Sequence, residues 1–288
     1  MIGVNLRELA GQIESGKFKQ SLERHLSLET RTLLDAMTAK ETEDRLSQIV
    51  REPIQLSGEN SRELLQLYYT ASWLHLFETL NISPQAKLFE IASGDTDFIP
   101  QALDAYAGAE GRYVTANLNK ELTQQFKRKT AVLNVDVQII EDDGARILDY
   151  VEGGTFDAVA FHHAINDIVQ TIIADAEGID TVNNNWWDIE PQMLKAVMEY
   201  HHSGRLKDAV CETFIGIVDT CRGLLKQAGY MIFDNCSYDG YEQIGYSTAF
   251  HSNYINLARA WIKEANLGLE EVEPEGYDGK WWMILRKV

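Results

Sequence analysis

A short stretch near residue 90 constrains the fold more than any other part of this sequence. Residues 87–92 read Lys-Leu-Phe-Glu-Ile-Ala, the pattern of a buried strand, and the small or acidic residues Ser93, Gly94 and Asp95 follow directly. A helix is predicted to begin at Asp97. A strand that turns tightly into a helix forms a ligand pocket at the carboxyl edge of a parallel sheet, because small residues let the backbone approach a ligand.

The following residues extend this unit into an α/β domain. Apolar runs at 112–116, 135–140, 156–161 and 230–233 predict four more strands, and two last strand candidates lie at 269–272 and 281–286. Helices are predicted at 97–106, 120–129, 166–176, 207–226 and 254–265, with Asn119 as the cap of the second. Strands separated by helices favour parallel βαβ units in a three-layer sandwich.

Two segments do not fit this alternation. Residues 1–82 are predicted to form a helical N-terminal cap, because their apolar residues recur at helical spacing and Pro84 ends the last helix. Residues 83–288 then form the sheet domain, with an insertion at about 178–204. The insertion contains Trp186 and Trp187 and a short predicted helix that ends at His202.

Composition excludes several classes of protein. The chain has 288 residues, 45% of them hydrophobic, which is enough for a sizeable core. Its net charge of −18 disfavours nucleic acid as a partner. Three cysteines without metal-binding spacing, and no apolar run approaching the roughly 18 residues that span a bilayer, predict a cytoplasmic protein with no membrane partner. The start of the chain lacks the apolar core of a signal peptide. The oligomeric state is left open, a homodimer included.

The succession of elements over about residues 85–288 resembles the class I S-adenosylmethionine-dependent methyltransferases. In that family the first strand and its glycine loop hold the methionine moiety of the cofactor, and the matching loop here runs from Glu90 to Thr96. The closing residues 280–288 are similar to the family's antiparallel seventh strand. The resemblance implies a mostly parallel, seven-stranded Rossmann-like sheet with an antiparallel last strand, and S-adenosyl-L-methionine as cofactor.

The resemblance also implies a set of cofactor-binding residues. An acidic residue usually binds the ribose after the second strand, and Asn117 stands at that position here. A carboxylate can accept both hydrogen bonds of a diol, whereas an amide has one acceptor oxygen. After the third strand, Asp143 or Asp142 matches the acid that meets the adenine amine. The implied cofactor-binding residues are Glu90, Ala92, Ser93, Gly94, Asn117, Leu118, Asp142, Asp143, Gly144, Phe161 and Tyr69.

A nucleotide-binding dehydrogenase is the main alternative for the same pattern. Its fingerprint G-x-G-x-x-G brings a pyrophosphate onto a helix N-terminus. Here Ala92 and Thr96 occupy the first and third glycine positions, and only Gly94 remains. Asp95 and Asp97 are expected to repel a pyrophosphate, whereas a sulfonium cofactor tolerates nearby acids. The sequence therefore favours the methyltransferase.

Candidate catalytic residues follow the fourth strand. Methyl transfer is an in-line displacement that needs positioning of the acceptor, and a hydroxyl or protonated amine must also lose a proton to a base. His162, His163 and Asp167 are the predicted catalytic residues, with one histidine as general base. The alternative is that the two histidines cap the next helix and pack beneath the cofactor.

Asp234 and Asn235, after the fifth strand, are similar to the metal-binding Asp-Asn of catechol-type O-methyltransferases. Those enzymes take a third ligand, an aspartate, from the end of the fourth strand, where this chain has His162. Magnesium prefers oxygen ligands, so no metal is predicted. The predicted substrate-binding residues are Trp186, Trp187, Asp234, Asn235 and His251. The two tryptophans can equally anchor the insertion to the core.

The sequence thus predicts O- or N-methylation of a small-molecule or peptide acceptor by in-line displacement. Two alternatives stay open. A catalytically inactive protein that binds S-adenosylmethionine or S-adenosylhomocysteine is favoured by Ala92, Thr96 and Asn117, and a scaffold protein could use its acidic surface for a basic partner.

Overall fold

The computed structural model describes residues 61–236 and 240–288, together with positions 32–33, 35–38, 40–41 and 44. Most of the predicted N-terminal cap therefore lies outside the described residues. The last helix of that cap is present as α1 (Ser61–Thr79), and a short loop joins it to the first strand.

Seven strands form one sheet in the order β3-β2-β1-β4-β5-β7-β6. The strands β1 to β5 are parallel, and β7 is antiparallel to both of its neighbours. This is the class I methyltransferase sheet that the sequence resemblance implies, so the predicted fold is confirmed. The strands are β1 (Lys87–Ile91), β2 (Arg112–Ala116), β3 (Asp136–Ile140), β4 (Phe156–His162), β5 (Leu225–Asp234), β6 (Leu269–Val272) and β7 (Trp282–Lys287).

Helices cover both faces of the sheet, as the three-layer prediction requires. One apolar core joins α1, α2 and α3 to one sheet face, and a second core joins α4, α5, α6 and α9 to the other. Both cores are closely filled, because strands buried on two faces carry nearly continuous apolar runs. The remaining helices are α2 (Phe98–Ala107), α3 (Lys120–Thr130), α4 (Ala164–Ala176), α5 (Trp186–His202), α6 (Leu206–Leu224), α7 (Gly240–Gln243), α8 (Thr248–His251) and α9 (Tyr254–Ala265). None of the described helices is long and apolar enough to cross a membrane.

Two boundaries differ from the sequence prediction. The helix expected at 207–226 ends at Leu224, and β5 begins at Leu225 instead of Tyr230. The Ala228-Gly229 turn lies inside β5, where the register with β4 shifts and Ala228 adopts a φ of 62°. A bulge of this kind leaves extra residues on one strand without ending it. The insertion helix α5 is longer than predicted, with 17 residues.

Helix α1 is attached to the carboxyl edge of the sheet. Its Trp73 is fully buried, and the indole Nε1 donates a hydrogen bond of 2.9 Å to Asp234 Oδ2 at the end of β5. Tyr277, close to β7, donates from its hydroxyl to the backbone oxygen of Ser72 over 2.7 Å. The helix that precedes the sheet in sequence thus contacts the edge at which α/β proteins bind ligands.

Candidate functional site

The loop after β1 has the backbone of a glycine loop although it contains only one glycine. Gly94 has a φ of 58°, and Ala92, at the fingerprint's first glycine position, has a φ of 54°. Glycine adopts this left-handed conformation freely, whereas alanine does so at a cost of about 1 kcal/mol. The Ala92 amide donates to the backbone oxygen of Ala116 over 3.0 Å. The loop therefore keeps the fingerprint's shape despite the substitution.

Asn117, at the end of β2, holds this loop in place. Its Oδ1 accepts hydrogen bonds from the Gly94 amide at 3.0 Å and the Ser93 hydroxyl at 3.2 Å. Its Nδ2 donates to the Gly94 backbone oxygen over 2.9 Å. An aspartate could not make the last of these bonds, because a carboxylate has no N–H to donate. The asparagine at this position is explained by the loop it fastens.

A cavity of about 530 Å³ lies at the carboxyl ends of β1, β2 and β3, within the size range of small-ligand sites. Gly144 approaches β1 so closely that an added Cβ would lie 2.8 Å from Ile91 side-chain atoms. Six of the eleven predicted cofactor-binding residues line this cavity, namely Ala92, Gly94, Asn117, Leu118, Asp143 and Gly144.

The described lining of this cavity contains four aspartates and neither lysine nor arginine. They are Asp143, Asp167, Asp175 and Asp180. Asp95 and Asp97, the acids expected to repel a pyrophosphate, do not line the cavity, and that expectation is corrected. The carboxylate of Asp95 pairs with Lys129 at 2.7 Å, and that of Asp97 is buried and accepts a hydrogen bond from Gln101. The acidic character of the site comes from other residues, and it favours a cationic ligand over a phosphate.

Sequence reasoning missed the contribution of helix α4 and the segment that follows it. Asp167, Thr171 and Asp175 line the cavity, and so do Asp180 and Trp186. The spacing of four residues within α4 places the first three on one helix face, and this signal was available in the sequence. The position of the segment around Asp180 depends on tertiary packing alone.

Five predicted cofactor-binding residues lie outside the cavity lining. Phe161 is fully buried and stacks on Phe233 at a centroid distance of 4.3 Å. The hydroxyl of Ser93 is bonded to Asn117, and exposed Asp142 pairs with Arg146 at 2.8 Å. Glu90 is buried and accepts a hydrogen bond from the Tyr113 hydroxyl, and burial raises the pKa of Glu90 to about 8. Tyr69 packs on the two histidines described next.

His162 and Asp234, at the ends of β4 and β5, form a buried pair. Nδ1 of His162 lies 2.8 Å and 2.9 Å from the two carboxylate oxygens. The carboxylate also accepts hydrogen bonds from Trp73 Nε1 and from the His163 backbone amide at 3.2 Å. Three donors from three elements thus compensate a charge that would otherwise be costly to bury.

The neighbouring imidazoles have opposite protonation preferences. Burial lowers the pKa of His162, but the charge and hydrogen bond of Asp234 outweigh it, and the net shift is upward. His163 stacks on His162 at 4.2 Å, and burial together with the charge of His162 lowers the pKa of His163 well below its usual value. His163 is therefore neutral at pH 7, the form that can accept a proton.

The three predicted catalytic residues do not share one surface. Asp167 lines the cavity, whereas His162 and His163 lie outside its described lining. Tyr69 covers both imidazoles, with ring centroids 4.9 Å and 4.6 Å away. Helix α1 therefore separates the histidine pair from solvent.

The predicted substrate-binding residues are also divided. Trp186 lines the cavity, whereas the side chain of Trp187 is 56% exposed and lies outside the lining. Asn235 Nδ2 donates to the backbone oxygen of buried His251 over 3.0 Å. Burial lowers the pKa of His251 to about 3.

Within the described part of the chain, His162, His163 and Asp234 place one ligand atom each within 4.8 Å of one another. The carboxylate oxygens already accept three hydrogen bonds, and the Asn235 amide is bonded to His251. The set therefore matches a hydrogen-bonded pair better than an oxygen-rich magnesium site.

Solved structures similar to this chain include two methyltransferases. A candidate S-adenosyl-L-methionine-dependent methyltransferase from Methanococcus maripaludis gives a TM-score of 0.47 at 13% identity, covering 80% of this chain and 89% of that protein. A SAM-dependent methyltransferase from Aquifex aeolicus gives 0.41 at 11%, covering 74% and 87%. A protein described as PH0851 gives 0.49 at 10%, covering 76% of this chain but only 46% of its own length. No protein-family model and no curated protein matches.

Proposed function

We propose that this protein transfers the methyl group of S-adenosyl-L-methionine to a small-molecule or peptide acceptor. The observation that carries the proposal is the cavity at the carboxyl ends of β1, β2 and β3, whose described lining has four aspartates and no lysine or arginine. A ligand with a sulfonium and an ammonium group suits these charges, whereas a pyrophosphate does not.

The residues present fit this cofactor. The loop through Ala92 and Gly94 brings main chain to the cavity wall in the left-handed conformation that a glycine loop requires. Asp143 caps the turn that follows β3, lines the cavity, and is placed to accept from an adenine amine. Asn117 supports the loop through three hydrogen bonds, so its contribution to the ribose is through position.

When bound, the cofactor supplies a methyl group already activated by its sulfonium sulfur. The protein has to orient the acceptor and receive a proton from it. His163 is the candidate base, because it is neutral at pH 7. Its lowered pKa suffices for an acceptor that becomes strongly acidic as the new bond forms. The His162–Asp234 pair is a positioning element, because it fixes the backbone and ring of His163 from below.

Helix α1 and the segment around residues 178–204 are proposed to cover the acceptor. Tyr69 lies over the histidines, and Trp186 closes one side of the cavity. Acceptor access to His163 then requires the Tyr69 side chain to move. We also propose a cytoplasmic location without nucleic acid or membrane partners, consistent with the net charge of −18.

Isothermal titration calorimetry tests the proposal. S-adenosylmethionine and S-adenosylhomocysteine are expected to bind with one site per chain, and NAD⁺ is expected not to bind. Binding of NAD⁺ alone would overturn the proposal in favour of a dehydrogenase. Binding of both sulfur compounds, followed by no methyl transfer to any acceptor in a broad screen, would instead support the inactive binding protein.

A further inference from the structure

A second cluster of polar side chains adjoins the cavity beside helix α4. Asp167, in the first turn of α4, lines the cavity, and its Oδ1 accepts a hydrogen bond of 2.7 Å from Asn166 Nδ2. Glu190, in α5, is half-buried, and its Oε1 accepts from the Tyr241 hydroxyl at 3.4 Å. The two acids therefore belong to neighbouring helices that pack against each other.

The two carboxylates lack a compensating cation. Within the described residues neither forms an ion pair with lysine or arginine. Burial and the negative charge of Glu190 raise the pKa of Asp167 to about 8, and burial raises the pKa of Glu190 as well. Carboxylates are seldom kept in such surroundings unless they are paired, so the arrangement is incomplete without a positive group.

Asn166 gives an independent indication of a ligand. Its side chain is buried, with the residue 6% exposed, and its Oδ1 has no hydrogen-bond partner in the described part of the chain. Because Nδ2 is bonded to Asp167, the unsatisfied oxygen lies beside the carboxylate of the same cluster. Gln170, one helical turn further and fully buried, also has both side-chain polar atoms unsatisfied within the described residues. Unsatisfied buried acceptors require a donor.

We propose that the acceptor substrate enters as a protonated amine, whose ammonium group binds between Asp167 and Glu190. This inference rests on the proposed methyl transfer. An ammonium group has three N–H donors, which match the two carboxylates and the Asn166 oxygen. Its charge also balances the acids. A neutral alcohol would leave the two acids facing each other, and an anionic acceptor would be repelled. The position of Asp167 in the cavity wall places the amine next to the cofactor site.

Calorimetry on protein saturated with S-adenosylhomocysteine tests the inference. The probes are methylamine, butylamine, benzylamine and spermidine, each primary amine matched by the corresponding alcohol. At least one amine is expected to bind at pH 7, and its alcohol is expected not to bind. Glu190→Gln and Asp167→Asn are each expected to weaken that binding by at least about tenfold, the loss of one charge-assisted hydrogen bond. Glu199→Gln, an exposed change of the same type on α5, should change it less than about twofold.

Failure of the inference is distinguishable from failure of the proposed function. If S-adenosylhomocysteine binds but no amine does, or if the alcohols bind equally well, the amine site is overturned and methyl transfer is untouched. Mg²⁺ binding that is lost in Glu190→Gln would reassign the site to a metal. If S-adenosylhomocysteine itself does not bind, both proposals fall. Both variants keep side-chain volume and remove an unpaired buried charge, so folding is expected, and circular dichroism checks it.

Discussion

Replacing Asp234 with asparagine tests the buried pair at the ends of β4 and β5. The change keeps the shape of the side chain but removes its charge and turns one acceptor oxygen into an N–H donor. In the protein, Oδ1 accepts from the His163 amide and Oδ2 accepts from Trp73 Nε1, while His162 Nδ1 lies within 2.9 Å of both oxygens. Either orientation of the new amide therefore sets a donor against a donor.

The expected cost follows from the burial of every partner. Breaking a buried ion pair by removing one member costs about 3–5 kcal/mol, and a domain of this size loses about 2–4 °C in Tm per kcal/mol. Asp234→Asn is therefore expected to lower the Tm by about 6–20 °C. Since the raised pKa of His162 depends on Asp234, the stabilisation is fully present below the unfolded pKa of histidine and is lost as pH rises through the folded pKa. The difference between wild type and variant should shrink above that pH.

Urea unfolding followed by tryptophan fluorescence measures this difference at several pH values. Asp219→Asn is the matched control, because Asp219 is exposed and pairs only with Arg222 on the same helix. That control is expected to cost less than about 1 kcal/mol. A loss below about 1 kcal/mol for Asp234→Asn at pH 6, or a loss that does not vary with pH, would refute the view that Asp234 holds a charged His162.

Four further predictions follow from single contacts. Trp73→Phe should lower the free energy of unfolding by about 1.5–3 kcal/mol in urea titrations, because the buried carboxylate loses a donor. Gly144→Ala should weaken S-adenosylhomocysteine binding about tenfold in calorimetry, because the new Cβ pushes β1 side-chain atoms into the cavity, whereas Gly216→Ala, where the Cβ meets open space, should leave it unchanged. Asp167→Asn should raise the Tm at pH 8 and not at pH 4, because a carboxyl with a folded-state pKa of about 8 loses stability as pH rises from about 4 to 8. Asn117→Asp should lower the affinity for S-adenosylhomocysteine, although it restores the family's acid, since it removes the donor to the loop.

The sheet could be predicted from the sequence because its signals are local. The strands at 112–116 and 269–272, the helix at 254–265 and the Asn119 cap all lie where apolar runs and capping chemistry place them. The order of the strands followed from the family resemblance. The bounds of β5 did not follow, because the bulge at Ala228 depends on its pairing with β4.

The site was harder to predict because its contacts join distant parts of the chain. The Trp73–Asp234 hydrogen bond spans 161 residues, and no sequence pattern announces it. Asn117 looked like a weakened ribose ligand in sequence, whereas its three hydrogen bonds to the loop give it a structural reason. The acids of the cavity come from α4 and the following segment, and packing of that segment decides which ones face inward.

Hydrogen–deuterium exchange with and without S-adenosylhomocysteine tests the central claim most directly, because it locates the ligand on the chain. The account predicts slower exchange at the cavity, in the loops around residues 92–97, 116–119 and 143–145 and in the segment 179–186, with no change in the distant strand at 269–272. Absence of protection in all four segments, or protection confined to other parts of the chain, would contradict the assignment of this cavity to the cofactor.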